Sequence, residues 1–594
     1  MATVKLWSSF YNSYLVPYAE AVRDRIVVYE AFVPYVKEAS QENILFMTIG
    51  LIATALIVVV SWRNVMQFAM SWTPKRKLRA QHVKSKNKES IARPPPQKVD
   101  RTAVYGKIFD VNCLQFLQHA KRKNEPPMVP YWLPFLGSAI RVGTNPIKFY
   151  QECQEKYGNF FSITLVGRKM VTCLGAEGNN FVFNARLADA SAEEAYKGLT
   201  VPVFGTGVVY DVHNSVLMEQ KRFVKAGLSQ ENLRAYVPMI INETVEYLAR
   251  WNEPKGVDDI HKAMSELVIL TASRCLLGDD VRSRMDESFA KTYHDLDGGF
   301  APINFIFDDL PIPANRLRDK AHIRMRNFFL SIMQQRRESK RTDTHDIMQY
   351  LLDNCEYKNG RRLSDQEAAH ILIALLLAGQ HTSSTTSAWA LIYLAQNPEL
   401  FDVLREEQIR VLGSLDAEVT FDSLKQMPIL DNVVRETLRL RPPIMTMIRK
   451  VLRDLPIPGT DYVIPQGAYM QAVPMISQRD DGYFKNADKF SPFRWEEYDK
   501  QQKERDDDVV DYGWGAIHTS SAKSPYLPFG AGRHRCIGES FAYVQIKTIL
   551  ATFVRMFDLR LHNNKFPEVD FTTLIVTPVK PLGSPDIIDL SSSI

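Results

Sequence analysis

One cysteine near the C-terminus, Cys536, stands in the loop FGAGRHRCIGES, directly after three basic residues and before a helix-like pattern. The positive end of a helix dipole and neighbouring cations both favour the thiolate form of a cysteine. A thiolate here can act as a nucleophile or as a metal ligand, or the cysteine can be only a small buried residue. A nucleophile needs a base and an orienting group, and the sequence nominates neither. The residue types alone leave these three roles open.

A second stretch with chemical groups is LLLAGQHTSS, which lies inside a long apolar segment. Gly379 costs about 1 kcal/mol relative to alanine inside a helix. One interpretation is a kink in which hydroxyl groups bond back to preceding carbonyls beside a buried histidine. The other is a groove in which the glycine leaves room for a small ligand, and His381 and Thr382 pass protons to it. Taken alone, the stretch is more typical of the kink.

These groups must be positioned by one long helix. Ser364 and Glu367 form a capping-box pattern, and apolar residues then continue until Asn397 and Pro398 stop the helix. A helix of about thirty residues that is apolar on most faces must cross the protein interior. Polar side chains within it therefore need a partner or a purpose.

Composition places the chain among ordinary folded proteins, since 45% of its 594 residues are hydrophobic and 24% are charged. A net charge of +5 over this length is too small for a nucleic-acid-binding surface. The cysteines are scattered, without zinc spacing or a disulfide framework, which favours a reducing compartment. They are Cys113, Cys153, Cys173, Cys275, Cys355 and Cys536.

Residues 44–62 form an uncharged run of nineteen residues, which as a helix would span roughly 28 Å. The following 26 residues hold eight Lys or Arg and no acid, whereas residues 1–43 hold four basic and five acidic groups. This asymmetry predicts one transmembrane helix with the C-terminal bulk in the cytoplasm. A signal peptide is disfavoured because the run begins 43 residues into the chain and is too long. A buried core helix is the remaining alternative.

The rest of the chain divides around this anchor. Residues 1–43 are predicted to form a lumenal, amphipathic segment, and residues 63–124 a basic, proline-containing tether. Length alone suggests about three or four domains, but no long Gly/Ser or Pro linker follows residue 125, so one large unit carries equal weight.

The spacing F-x-x-G-x-H-x-C-x-G from Phe529 to Gly538 resembles the haem-ligand loop of the cytochrome P-450 family, the haem-thiolate monooxygenases. The resemblance implies one catalytic domain over residues 125–594, with a mainly α fold and small β-sheets, preceded here by the transmembrane helix. It also implies that Cys536 is the axial ligand of haem b, a thiolate that favours O–O cleavage. Phe529, Gly530 and Gly538 would lie against the porphyrin, with Arg533 and His534 near its propionates.

Two further segments, RETLRLRPP and FSPFRW, carry Glu436, Arg439 and Arg494 in the order that resembles the family's structural Glu-Arg-Arg network. The E-x-x-R pattern alone is weak, because it recurs in this chain. The other copies are interpreted as solvated helix pairs, and they are Glu20/Arg23, Glu219/Arg222 and Glu407/Arg410.

Within the family, AYKGLTVPVFGTGVVYD and AGQHTS resemble the sterol 14α-demethylases, and DDDVVDYGWGAIHTSSAKSPYLPFG resembles an insertion in their fungal forms. The resemblance implies that Tyr196, Tyr210, Lys221, Arg449 and His534 reach the haem propionates. It implies an elongated apolar cavity for the sterol. The residues expected to line it are Thr200, Phe204, Tyr210, Phe300, Pro302, Phe305, Ala378, Gly379, Ile444, Met445, Met447, Leu574 and Ile575.

The implied reaction is three successive O₂-dependent oxidations of the 14α-methyl group of a lanosterol- or eburicol-type sterol, with release of formate, in ergosterol-type sterol biosynthesis. His381 and Thr382 would deliver protons, and NADPH-cytochrome P-450 reductase would supply electrons at the endoplasmic reticulum membrane. Cytochrome b5 is a further candidate partner, and azole inhibitors are expected ligands. Two alternatives remain: a cytochrome P-450 that hydroxylates another lipid or xenobiotic, and a non-catalytic membrane protein that binds haem or sterol.

Overall fold

The computed structural model describes residues 124–133, 135–251, 255–305, 310–339, 346–504, 509–511, 517–519, 521–579 and 588–592. The predicted lumenal segment, the predicted transmembrane helix and residues 63–123 of the predicted tether lie outside these ranges. Within the part of the chain that is described, no helix is both long and apolar enough to cross a membrane.

The described residues are mainly helical, as predicted. In chain order the α-helices are α1 Ala139–Thr144, α2 Pro146–Tyr157, α3 Gly175–Phe183, α4 Glu193–Phe204, α5 Asn214–Ala226, α6 Gln230–Leu248, α7 Ile260–Ala272, α8 Asp279–Arg282, α9 Glu287–Asp297, α10 Pro313–Ser339, α11 Ile347–Asn354, α12 Asp365–Gln396, α13 Glu399–Leu412, α14 Phe421–Lys425, α15 Pro428–Leu440, α16 Pro474–Ser477, α17 Arg494–Glu504 and α18 Glu539–Met556.

The strands form small sheets, also as predicted. The strands are β1 Phe160–Leu165, β2 Arg168–Cys173, β3 Ala190–Ser191, β4 Lys255–Asp258, β5 Met447–Val451, β6 Leu455–Pro456, β7 Val463–Ile464, β8 Tyr469–Ala472, β9 Val509–Asp511, β10 Ile517–Thr519, β11 Phe557–Leu561, β12 Glu568–Asp570, β13 Thr577–Val579 and β14 Ile588–Ser592. A five-stranded sheet has the order β1-β2-β8-β5-β3, in which β2 and β8 are parallel and the other neighbours antiparallel. A three-stranded sheet has the order β11-β14-β4, and three two-stranded sheets complete the set among the described residues.

The long helix predicted from the sequence is α12, and its caps are as expected. The Ser364 hydroxyl accepts a hydrogen bond from the Glu367 N–H at 3.2 Å, and the Glu367 carboxylate accepts one from the Ser364 N–H at 3.0 Å. The helix ends at Asn397, where the backbone leaves the helical region. It packs against α7, α10, α15 and α18, and most of its residues are buried. The helix thus crosses the core, as its apolar pattern predicted.

The cysteine loop is held between this core and the five-stranded sheet. Gly530 and Gly532 adopt φ values of 68° and 64°, a backbone region that favours glycine. A side chain at Gly532 would also meet the carbonyl oxygen of Phe183 at 2.9 Å. The loop leads directly into α18, which is buried along most of its length. These constraints fix the direction from which Cys536 enters the interior.

Candidate active site

Cys536 lies in the protein interior and yet keeps an accessible surface, so its thiol faces an internal space. Its N–H donates to the carbonyl of Phe529 at 3.0 Å, which closes the loop. Burial raises the pKa of the Cys536 thiol, and Glu539 acts in the same direction, against Gly538, Lys221 and Arg535. The sequence predicted that nearby cations and the helix dipole favour the thiolate. Burial outweighs these groups, so the pKa of the thiol is raised and not lowered.

The positive charge of Arg535 is offset by a carboxylate, a contact that the sequence did not predict. The Arg535 guanidinium donates two hydrogen bonds of 3.0 Å to Glu539, the first residue of α18. Arg533 turns to the carbonyl of Ala185 at 3.1 Å. The third basic residue, His534, instead lies with its ring near that of Tyr210.

A row of aromatic rings runs from His534 away from the cysteine loop. The rings of His534 and Tyr210 are 6.2 Å apart, those of Tyr210 and Tyr196 stack at 5.2 Å, and those of Tyr196 and Phe305 are 6.1 Å apart. The Tyr196 hydroxyl accepts a hydrogen bond from the Ile448 N–H at 2.9 Å, which ties the row to β5. The structure thus brings together three of the predicted propionate-binding residues and one predicted cavity residue.

Lys221 and Arg449 lie beside this row without a carboxylate partner among the described residues. Lys221 donates to the carbonyls of Arg533 and Arg535 at 3.2 and 3.1 Å. Arg449 is buried and donates to the carbonyl of Ile448 at 2.9 Å. Buried cations are normally paired with anions. This pair of cations is therefore suited to an anionic ligand.

Electrostatics across the cluster support the same interpretation. Burial first, and then Arg449, lower the pKa of His534 to about 4. Burial also lowers the pKa of Lys221, with Arg449 acting in the same direction. One carboxylate, Glu193, lies 3.8 Å from the His534 ring and is held by Asn214 at 3.0 Å. The cluster consequently has more cationic groups than anionic ones.

The polar interruption of α12 opens onto space. Ala378 is exposed in the middle of a helix whose neighbouring residues are buried, and Gly379 and Thr382 are half-buried. A side-chain carbon added at Gly379 would meet no atom within 4 Å. This geometry agrees with the groove interpretation of the sequence.

The kink interpretation is also partly correct, because the hydroxyls do bond back along the helix. Thr382 donates to the Ala378 carbonyl at 2.8 Å, and Thr386 donates to the Thr382 carbonyl at 2.7 Å. With its proton engaged, the Thr382 hydroxyl keeps lone pairs that can accept a hydrogen bond from a ligand. The two interpretations therefore describe the same turn of helix.

His381 has partners on α9. Its Nε2 lies 2.7 Å from an Asp297 carboxylate oxygen and 3.4 Å from the Tyr293 hydroxyl. The Tyr293 hydroxyl also donates to Gln380 at 3.1 Å. The Asp297 carboxylate can therefore orient the imidazole. No sequence pattern linked Tyr293 and Asp297 to the histidine, because they lie more than eighty positions earlier in the chain.

Two sets of the residues predicted to line the cavity make contacts with each other or with their neighbours. Phe204 and Phe300 meet edge to face at 5.6 Å. In the second set, the Val576 N–H donates to the Pro443 carbonyl at 3.0 Å, which joins the chain around Ile444 to that around Ile575. Ile444 is 46% exposed, a large value for a residue that was expected to line a cavity.

The remaining predicted residues are distributed as follows. Thr200 is buried and donates to the Tyr196 carbonyl at 3.0 Å, so its hydroxyl is already used. Phe529 is half-buried, with its ring 5.6 Å from that of Tyr543. Pro302 belongs to the short 3-10 turn Pro302–Phe305. Five further residues of the predicted site are half-buried: Met445, Met447, Leu574, Ile575 and Gly538.

Glu436, Arg439 and Arg494 form one buried ion-pair network. The Glu436 carboxylate accepts hydrogen bonds from Arg439 at 2.8 and 2.9 Å and from Arg494 at 2.9 Å. The side chains of Glu436 and Arg439 are both 0% exposed. The two arginines also donate to backbone carbonyls of the segment before α17. The network therefore fastens α15 to that segment.

One expectation for the other E-x-x-R copies is wrong. Glu407 was interpreted as part of a solvated pair with Arg410, but its side chain is 0% exposed. It accepts hydrogen bonds from the N–H groups of Ile429 and Leu430 at 2.7 and 2.9 Å. It therefore satisfies the unpaired donors at the start of α15. The copy at Glu20 and Arg23 lies outside the described residues.

The arrangement fits haem. The accessible interior thiol of Cys536 suits an iron ligand, Lys221 and Arg449 suit two propionates, and the open face at Gly379 leaves space for oxygen and substrate. Arg and Lys are the usual partners of carboxylates in such charge-assisted bonds.

Comparisons with known proteins agree. The family model "Cytochrome P450" matches residues 126–583. The lanosterol 14-alpha demethylase of Cunninghamella elegans is 46% identical, over 80% of this chain and 93% of its own length. That of Mycosarcoma maydis is 48% identical over 79% and 89%, and that of Schizosaccharomyces pombe is 46% identical over 78% and 93%.

A solved structure, retinoic acid bound cyanobacterial CYP120A1, superposes with a TM-score of 0.64 at 20% identity, over 80% of this chain and 100% of its own. That likeness supports the fold. Together with the fungal relatives, it leads to one conclusion: this chain belongs to the cytochrome P450 family and, within it, to the lanosterol and sterol 14-alpha demethylases.

Proposed function

We propose that this chain is a haem-thiolate monooxygenase that removes the 14α-methyl group of lanosterol- or eburicol-type sterols in ergosterol-type biosynthesis. Three successive oxidations, driven by O₂ and electrons from NADPH, would yield an alcohol, then an aldehyde, and finally formate and the demethylated sterol. The observation that carries the proposal is the open interior surface of Cys536 in a chain 46% identical to a lanosterol 14-alpha demethylase over most of its length.

The residues of the cysteine loop and its surroundings would hold the cofactor. Cys536 would ligate the iron of haem b, and Lys221, Arg449 and His534 would meet the propionates. Tyr196 and Tyr210, whose rings stack at 5.2 Å, would donate their hydroxyls to the same propionates. Haem bound in this way supplies the activation of dioxygen, and a thiolate ligand favours O–O cleavage.

The apolar wall would bind and orient the sterol. An almost wholly hydrocarbon substrate requires apolar lining and the exclusion of water. Phe204 and Phe300, which meet edge to face, would form one side, and the chain around Ile444 and Ile575 would form another. Azole inhibitors are expected to occupy the same cavity.

His381 and Thr382 would control protons at the open face of α12. Asp297 holds the His381 ring at 2.7 Å, and the Thr382 oxygen keeps accepting capacity. Asp297 would orient the His381 imidazole, which would pass a proton from solvent into the groove, and Thr382 would accept a hydrogen bond from a water or a ligand beside Gly379. We expect Thr382→Ala to retain haem and sterol binding but to divert reducing equivalents to peroxide, measured as peroxide formed per NADPH consumed. Unchanged coupling would contradict this role.

Electrons would come from a separate NADPH-cytochrome P-450 reductase, with cytochrome b5 as a second donor. We further propose that residues 44–62 anchor the chain in the endoplasmic reticulum membrane, with residues 125–594 as a catalytic domain in the cytoplasm. The support is the uncharged run and the basic residues that follow it. Deletion of residues 1–62 should release the protein from membranes, as measured by fractionation.

The deciding experiment reconstitutes the purified chain with reductase, NADPH and lanosterol or eburicol, and identifies the sterols by mass spectrometry. We expect a product without the 14α-methyl group, and none from Cys536→Ala. A sterol-induced spectral change with a hydroxylated product would favour another lipid hydroxylase. Failure to form the thiolate-type carbon monoxide spectrum would favour a non-catalytic binding protein.

A further inference from the structure

The residue before Tyr210 has an unusual backbone. Val209 adopts a φ of 51°, a left-handed conformation that is a clear outlier for a β-branched residue. It starts the short turn Val209–Asp211, which carries Tyr210 into the row of rings at the candidate haem site. A strained residue persists only where its surroundings hold it in place. The direction of the Tyr210 side chain therefore depends on whatever holds Val209.

Gln220 on α5 makes that contact. It is 3% exposed, and its amide oxygen accepts a hydrogen bond from the Val209 N–H at 3.1 Å. Its amide nitrogen donates to the Gly207 carbonyl at 2.9 Å and to the Tyr357 hydroxyl at 3.1 Å. Because one loop partner is a donor and another is an acceptor, a single orientation of a glutamine amide satisfies both.

The other end of this loop is held by different side chains. His322 contacts the Val203 carbonyl at 3.0 Å, and His370 contacts the Thr206 carbonyl at 2.8 Å. These contacts fix the end of α4, which carries Phe204, and lie before the strained residue. Gln220 bonds on both sides of Val208, directly next to the strain.

The position of Gln220 in the chain adds a second link. The next residue, Lys221, donates to two carbonyls of the cysteine loop at 3.1 and 3.2 Å. Two adjacent residues of α5 thus contact the two loops that border the candidate haem site.

We propose that Gln220 is a positioning residue that holds Val209 in its left-handed conformation and thereby orients Tyr210 toward the haem propionate and the sterol. This rests on the proposed function, because the orientation of Tyr210 has a consequence only where haem and sterol bind. Tyr210 would thereby contact the carboxylate of the haem propionate and the apolar polycyclic body of the sterol.

The test uses the full-length, haem-loaded protein and Gln220→Met, which keeps the length and volume of the side chain but loses its hydrogen bonds. We expect the dissociation constant for lanosterol, from spectral titration, and KM to rise about tenfold, since two net hydrogen bonds to the loop are lost. We expect kcat to fall by less than threefold and haem content to decrease measurably. Tyr357→Phe is the matched control. It removes the third partner of Gln220 but leaves both loop contacts, and should change the dissociation constant by less than twofold.

A double-mutant cycle with Tyr210→Ala, which removes the ring as well as the hydroxyl, separates positioning from general stability. If Gln220 acts through Tyr210, Gln220→Met should change the dissociation constant by less than twofold in the Tyr210→Ala background. An equal fold-change in both backgrounds would overturn the proposal, and so would an effect of Tyr357→Phe as large as that of Gln220→Met.

Val209→Gly provides the second variant, because glycine adopts this conformation without strain. We expect it to reduce the penalty of Gln220→Met by at least half, and no reduction would contradict the holding role. Should Gln220→Met not fold, Gln220→Glu, which keeps the acceptor, enters the same cycle. Wild-type protein that neither binds nor demethylates sterol would refute the proposed function instead, whereas active wild type with an indifferent Gln220→Met refutes this inference alone.

Discussion

Two buried charge clusters of this molecule are built in opposite ways. Around Glu436, every charged group has a partner, since both arginines bond the carboxylate and the surrounding carbonyls. Around Tyr210, Lys221 and Arg449 bond only carbonyls among the described residues. Both clusters cost desolvation free energy, but only the first recovers it within the chain.

The difference separates structure from binding. A closed network fastens one segment to another and needs nothing further. A cluster with excess cations is stabilised when an anion enters, so its energy is available for a ligand. The same residue type, arginine, therefore has different roles at Arg439 and Arg449, and mutation should distinguish them.

The largest expected effect is on the closed network. Glu436→Ala leaves two buried guanidinium groups uncompensated and should lower the free energy of unfolding by about 3–5 kcal/mol. Thermal unfolding and soluble yield measure this, with Glu436→Gln as a milder variant.

The exposed pair of Glu152 and Arg141, 2.7 Å apart, provides the matched control. Glu152→Ala should cost less than about 1 kcal/mol, because solvent screens the pair. Equal costs for Glu152→Ala and Glu436→Ala would contradict the assignment of the Glu436 network as the structural one.

The open cluster should respond in the opposite manner. Arg449→Leu removes a buried cation without a carboxylate partner, so the haem-free protein should be as stable as wild type or more stable. Haem affinity should fall by about ten- to a hundredfold, since a charge-assisted hydrogen bond contributes about 1.5–3 kcal/mol. Haem retention on dilution and thermal unfolding with and without haem measure the two effects. Arg453→Leu, which removes an arginine paired with Asp189, is the control and should leave haem affinity unchanged.

A smaller effect on the free energy of unfolding should come from protonation of two histidines, His322 and His370. The rings of His322 and His370 are 5.1 Å apart, and burial lowers the pKa of each below 6.5. The unfolded chain therefore binds more protons, so their contribution to stability is full above about pH 6.5 and is lost as the pH falls through the folded pKa values.

Arg326 opposes protonation of both rings, whereas Asp319 favours it at His322 and Glu367 at His370. Unfolding free energies between pH 5 and 8 should show this loss on acidification. The double variant His322→Asn/His370→Asn should show a shallower slope, since asparagine can keep the donor to the backbone but does not titrate. An unchanged slope would show that other groups dominate.

The sequence predicted the features that depend on local pattern. The capping box and stop of α12, the helix after Cys536 and the mainly helical class with small sheets are all present. Motif order identified the Glu436 network among several E-x-x-R copies, because the downstream P-x-R-W and cysteine loop supplied an independent constraint.

What the sequence could not predict depends on tertiary contacts. Asp297 contacts His381 from another helix. Glu539 pairs with Arg535, and burial raises the pKa of the Cys536 thiol, so a count of nearby basic residues overestimated their effect on that thiol. Glu407 was interpreted as a surface residue because its local sequence carries no sign of the packing against the start of α15 that buries it. Val209 was unremarkable in sequence, since its backbone strain exists only in the folded loop.

Gly379 has one more consequence. The space around it would admit a methyl group, and alanine favours a helix by about 1 kcal/mol over glycine. A selection for heat resistance alone would therefore accept Gly379→Ala, and would narrow the groove while improving the measured melting temperature. At this position, thermostability engineering and catalysis make opposing demands on the same residue.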